Sequence, residues 1–124
     1  LAHIIQFAEL LGTVHRNAWQ QRAQLETLFA DRVFFESLRL EPYYAYTAWE
    51  VSEASSFLLA LIEETRERRQ SLVHGDYSPK NVLVYQDRLI LLDHEVIHWG
   101  DPAFDLGFAM RPKLLDKGNA ISLR

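Results

Sequence analysis

Two apolar runs, Val82 to Tyr85 and Arg88 to Leu92, are separated only by Gln86 and Asp87. A gap of two residues between such runs closes a β-hairpin. Gln-Asp is a weaker turn pair than Asn-Gly, but the gap leaves room for no other connection. The two strands are therefore expected to run antiparallel, ~4.8 Å apart. This is the one place where the chain reads as sheet. Helical patterns precede it and one follows it, so the fold class is α+β, mostly α, without a large parallel sheet.

The helical patterns are amphipathic. Ile4, Phe7, Ala8, Leu11 and Val14 recur at helical spacing. A second helix is expected over about Asn17 to Phe29, and a short third one after Asp31, with Val33, Phe34, Phe35 and Leu38 apolar. Pro42 is expected to end that helix and open an aromatic loop through Tyr46. Thr47 and Glu50 have the spacing of a capping box and are expected to start the longest helix. Val51, Ala54, Leu58, Leu61, Ile62 and Thr65 would line its buried face. The interleaved charges of Glu63 to Arg69 read as its solvated end. After Gln70 come a short apolar pair, Leu72-Val73, and the hairpin. Loop is expected from Val96, then a helix from about Phe104 to Leu115, which Pro112 would interrupt.

Composition narrows the function classes. The chain has 124 residues, 48% hydrophobic and 24% charged, which suits a single folded unit. With no cysteine, it has no disulfide scaffold, no Cys-ligated zinc or iron–sulfur cluster and no cysteine nucleophile. That suits a reducing compartment, and a cytoplasmic setting is expected. A net charge of −4 provides no general field for nucleic acid or anionic lipid. The longest apolar run is Phe57 to Ile62, far short of the ~20 residues of a spanning helix. The first residue is Leu rather than Met, so the chain is expected to be a piece of something longer.

Chemistry-bearing side chains concentrate around the hairpin. His74-Gly75-Asp76 precedes it, Asn81 opens its first strand, and Asp93-His94-Glu95 follows its second. Antiparallel pairing puts Asn81 and Asp93 side by side, with Asp76 a few residues away. Two oxygen donors and a free carboxylate suit a hard cation. Mg²⁺ in particular is held by few protein oxygens together with substrate phosphates. The same residues also suit plain turn hydrogen bonds, with a carboxylate ending a strand. Spacing leaves both readings open.

The residues carry a resemblance. His74-Gly75-Asp76 with Asn81 five positions on resembles the catalytic loop of the aminoglycoside phosphotransferase/choline kinase family, which has the protein-kinase-like fold. Leu91-Leu92-Asp93-His94-Glu95 is similar to that family's metal-binding strand end. Gly100-Asp101-Pro102 with Asp105-Leu106 resembles its next signature. Ile4 to His15 is similar to the first helix of the C-terminal lobe. The resemblance implies a kinase-like C-terminal lobe, in which the hairpin carries the catalytic and metal motifs. It implies an ATP- and Mg²⁺-dependent transfer of the γ-phosphate to a hydroxyl of a small molecule: an amino sugar, an amino alcohol or a sugar. Asp76 would then be the catalytic carboxylate and Asn81 and Asp93 the metal ligands. His74 and Asp105 would be scaffold residues of the loop. His94 stands where the family has an aromatic residue and is taken as a packing substitution.

Phosphoryl transfer of this kind also uses a glycine-rich loop over the phosphates and a strand lysine. Gly12, Gly75, Gly100, Gly107 and Gly118 make no Gly-x-Gly pattern, and Lys80, Lys113 and Lys117 all lie within or after the catalytic loop. Residues 1–124 are therefore expected to be a partial domain lacking the N-terminal nucleotide-binding lobe. Little activity is expected of the chain alone, and the uncovered apolar surface is expected to form a symmetric homodimer. The acceptor site is expected among the aromatics between the first helix and the loop, with Tyr43, Tyr44 and Trp49 as the substrate-binding candidates, suited to a cationic head group. These rings equally suit a plain core. Two rivals remain. One is a metal-dependent phosphohydrolase using His74 as acid or base, and the other is a truncated, non-catalytic interaction module.

Overall fold

The computed structural model describes residues 2–115, with side chains for residues 3–110. Helix α1 spans Ala2–Gln20 and α2 spans Arg22–Leu28. The Asp31 carboxylate accepts the Val33 N–H at 2.9 Å and so starts the short α3, Val33–Phe35. A π-helix, Glu36–Ala45, follows directly and runs into α4, Tyr46–Glu50. Helix α5 covers Ser52–Glu67. Strand β1 is Ser71–Val73, and a 3₁₀ turn, Pro79–Asn81, leads into β2, Val82–Tyr85. Strands β3, Arg88–Leu91, and β4, His98–Gly100, precede α6, Ala103–Leu115. The chain is mostly helical with small antiparallel pairs, the α+β class expected.

The hairpin forms as its spacing requires, with Val82 opposite Leu91 and Tyr85 opposite Arg88. Gln86 and Asp87 both take positive φ, 47° and 59°. That is the left-handed pair whose twist matches the flanking strands.

Three expectations fail for physical reasons. The aromatic segment at Pro42 is helical rather than loop. Its wide π turn bonds the Tyr46 N–H to the Glu41 carbonyl, five residues back, so the chain passes Pro42 without needing a proline N–H. Thr47 forms no capping box, because the helix already runs through it. Its Oγ1 donates instead to the Tyr43 carbonyl at 2.5 Å. The helical path then breaks at Val51, which is extended (φ −118°, ψ 92°), so α1 rather than the Thr47 segment is the longest helix.

The fourth difference matters for the site. His98–Gly100, expected as loop, pairs antiparallel with Ser71–Val73. This second ribbon is buried on both faces, so it shows no alternation in sequence. The Trp99 N–H donates to the Phe29 carbonyl at 2.7 Å and its indole N–H to the Arg69 carbonyl at 3.2 Å. The ribbon is thereby tied to both helical neighbours. A core of Phe35, Leu40 and Ile62 lies beside it, with Tyr44, Ala45 and Phe104 packed on its rim. Phe35 stacks on His98 at 3.9 Å and meets Phe104 edge-on at 4.8 Å. Among the described residues no helix is long and apolar enough to cross a membrane.

Candidate active site

The loop from His74 to Asn81 hangs between the two ribbons, leaving β1 and entering β2. Gly75 makes the exit turn with φ +82°, and a Cβ there would sit 2.7 Å from Val96 Cγ2. Only glycine meets both demands without strain. Asp105, in the first turn of α6, lies under the loop with no exposed surface. Its Oδ2 accepts the His74 N–H at 3.0 Å and its Oδ1 the Gly75 N–H at 2.9 Å.

His74 joins the two halves of the site. Its Nε2–H donates to the Leu92 carbonyl at 2.9 Å, and its Nδ1 accepts the Asp76 N–H at 3.2 Å. Only the neutral ring can do both. Burial, the largest influence, pushes its pKa below the ordinary value. Both nitrogens face backbone, so neither is available to a ligand as proton donor or base. Leu92 is also held from the other side, its N–H donating to the Asn81 carbonyl at 2.8 Å.

Asp76 is 3% exposed. Its Oδ2 accepts from Asn81 Nδ2 at 2.8 Å and faces an Arg39 guanidinium nitrogen at 3.3 Å and Lys80 Nζ at 3.5 Å. Asn81 Nδ2 also donates to the Asp76 carbonyl at 2.9 Å. Among the described residues, no hydrogen bond reaches Asp76 Oδ1 or Asn81 Oδ1. Lys80 is mostly exposed and Arg39 is buried. Asp93 follows β3 with φ +62°, a left-handed conformation that aspartate tolerates better than most residues. Its carboxylate is exposed and makes no ion pair or hydrogen bond among the described residues. His94, also exposed, meets the His74 ring edge-on at 5.3 Å.

Among the described residues no group of three or more Asp, Glu or His side chains could hold a metal. The donors near the hairpin are the Asn81 amide oxygen and the Asp93 carboxylate. Two hard oxygens suit Mg²⁺, which completes its shell with water and phosphate oxygens.

The aromatic candidates lie on the helical segment before the loop. Tyr44 packs on the core rim, 6.2 Å from Phe104. Trp49 is 85% exposed and lines a cavity of about 330 Å³ with Ala45, Ala48, Ser52, Ser55 and Leu59. Tyr43 is exposed on the π-helix. Three residues make contacts that the sequence did not assign to them. Arg39 reaches the loop from the π-helix. Tyr77 is fully buried, stacks on Phe7 at 4.4 Å and donates its hydroxyl proton to the Phe7 carbonyl at 2.5 Å. Burial pushes its phenol pKa up. His15 reaches Asp105 from α1. None carries a local signal, because each acts across a long stretch of chain.

No curated protein and no solved structure matches the chain. A family model described as the phosphotransferase enzyme family matches residues 1–118, nearly the whole sequence and every residue of the loop, the hairpin and the helix beneath them; the chain belongs to that family.

Proposed function

We propose that this phosphotransferase moves the γ-phosphoryl group of ATP to a hydroxyl of a small molecule: an amino sugar, an amino alcohol or a sugar. The observation that carries this reading is the state of Asp76. Its Oδ2 is held by Asn81 and faced by two cations, while Oδ1 is left for a ligand. The acceptor hydroxyl would donate its proton to Oδ1 as its oxygen attacks phosphorus. The bond from phosphorus to the β,γ-bridging oxygen then breaks, and ADP leaves. The Asn81 amide oxygen and Asp93 would hold Mg²⁺, which when bound neutralises charge on the phosphates. His74 and Asp105 act only by fixing the loop. Lys80, long and exposed, moves off Asp76 when the acceptor enters.

The acceptor is proposed to meet the helical segment before the loop, with Tyr43, Tyr44 and Trp49 as its aromatic contacts. These 124 residues contain no Gly-x-Gly phosphate loop, so the chain by itself is proposed to turn over poorly, as the C-terminal lobe of a larger catalytic unit. Leu83, Tyr85, Ile90 and Leu92 are all exposed on the hairpin, and this apolar surface is proposed to pair two copies when nothing else covers it. A cytoplasmic setting, rich in ATP, suits this chemistry.

The test is a panel of hydroxylated acceptors offered with Mg·ATP to the protein at its full natural length, beside Asp76→Asn. Transfer reduced about 10³-fold in the variant supports the reading. An Asp76→Asn enzyme of unchanged rate overturns it.

A further inference from the structure

Arg39 is the buried cation of the site, and it comes from outside the loop. It sits midway along the π-helix, and its side chain is 10% exposed. Its Nε–H donates to the Gly75 carbonyl at 2.8 Å, one terminal nitrogen donates to the Leu38 carbonyl at 3.0 Å, and the other faces Asp76 Oδ2 at 3.3 Å. The guanidinium carbon lies over the Phe108 ring of α6, 5.7 Å from the ring centre. All three nitrogens are thus aimed at backbone or carboxylate. A π-helix of this length is rare and is common mainly at functional sites. Here its effect is concrete, because it carries the arginine across a gap of 36 residues to the loop.

We propose that Arg39 is a positioning residue for Asp76. By gripping the Gly75 carbonyl and Asp76 Oδ2 together, the rigid guanidinium fork fixes the rotation of the carboxylate, so that Oδ1 alone faces the acceptor. Lysine cannot replace it, since an ammonium is a single point with no fork. Asn81 holds the same oxygen from the loop's own far end; Arg39 adds the restraint from the helical segment. The helices proposed to receive the acceptor are therefore mechanically joined to the carboxylate that would accept its proton. This inference rests on the phosphotransfer reading given above.

The experiment compares wild type, Arg39→Met and Asp76→Asn at full natural length, on any acceptor the wild type phosphorylates. Loss of positioning should lower kcat about 100-fold, the cost of an error near 1 Å, with the KM for Mg·ATP changed less than about two-fold. Added guanidinium at millimolar concentration should restore much of the rate, while ammonium at equal concentration should not. Without substrate, the Asn81 side-chain amide resonance should move in Arg39→Met and return with guanidinium. If Arg39→Met does not fold, Arg39→Lys serves in its place and should lose about ten-fold in kcat. A folded Arg39 variant with wild-type kcat, or a loss matched by lost folded protein and untouched by guanidinium, overturns the inference and leaves the phosphotransfer reading standing. A wild type that phosphorylates nothing, or an Asp76→Asn variant as fast as wild type, overturns both.

Discussion

His15 on α1 donates its Nε2 proton to Asp105 Oδ2 at 2.9 Å, across 90 residues of sequence. The same carboxylate accepts the backbone N–H groups of His74 and Gly75. One fully buried aspartate therefore pins α1, α6 and the His74–Asn81 loop together. Asp105→Ala would leave two buried amides and an imidazole N–H without an acceptor. Each orphaned group costs about 1–3 kcal/mol, so the variant is expected to lose at least about 3 kcal/mol of stability. Asp105→Asn, which keeps one acceptor oxygen, should lose less. Urea unfolding of the three proteins checks the order.

A second expectation concerns pH. His98 is 1% exposed, and its Nδ1–H donates to the Val96 carbonyl at 2.9 Å. Burial, helped by Arg32, depresses its pKa from 6.5 to about 4. The folded protein thus binds a proton later than the unfolded chain does. Its stabilising effect is complete above pH ~6.5 and is lost as pH falls from there towards about 4. The difference is worth about 3 kcal/mol. His74, also depressed, acts in the same direction. Urea midpoints measured between pH 7.5 and pH 4 should fall on the acid side, and His98→Gln, which keeps an amide donor but cannot titrate, should flatten that fall.

Gly75 is the backbone hinge of the loop. Alanine there would bear a positive φ and a Cβ 2.7 Å from Val96 Cγ2 and 3.2 Å from the Val96 carbonyl oxygen. A single strained residue costs about 1–3 kcal/mol, and the contact adds to it. Gly75→Ala should melt well below wild type. Gly12→Ala, with nothing within 4 Å of the added methyl, should melt at or above it. Equal melting temperatures for the two variants would show the turn to be free of strain.

The proposed metal role of Asp93 can be separated from folding. Its carboxylate is exposed and outside every described ion pair, and asparagine tolerates the same left-handed backbone, so Asp93→Asn should leave stability within about 0.5 kcal/mol. The Mg²⁺ concentration for half-maximal transfer should nevertheless rise about ten-fold or more, since even residues behind a metal's ligands cost that much. A titration of rate against Mg²⁺, paired with a thermal melt, reads both quantities. An unchanged Mg²⁺ requirement removes Asp93 from the metal site.

The sequence by itself determined what local spacing can determine. The two-residue gap set the hairpin and its register, and with them the backbone bond from Leu92 to Asn81. Helical periodicity announced α1, and Asp31 announced the start of α3, whereas α6 runs on through Pro112, where the sequence led one to expect a break. The loop motif singled out Asp76. The tertiary structure decided what depends on contacts between distant residues. His98–Gly100 became a strand only because Ser71–Val73 was there to pair with it, and burial on both faces erased its alternation. The chain passed Pro42 as a π-helix because packing held it there, and this delivered Arg39 to a carboxylate 37 residues away. Asp105 became a three-way anchor because α1 supplied His15 and the loop supplied two amides. The aromatic residues diverged for the same reason. Tyr44 found a core to join and Trp49 did not, a choice set by which neighbours each meets rather than by the ring itself.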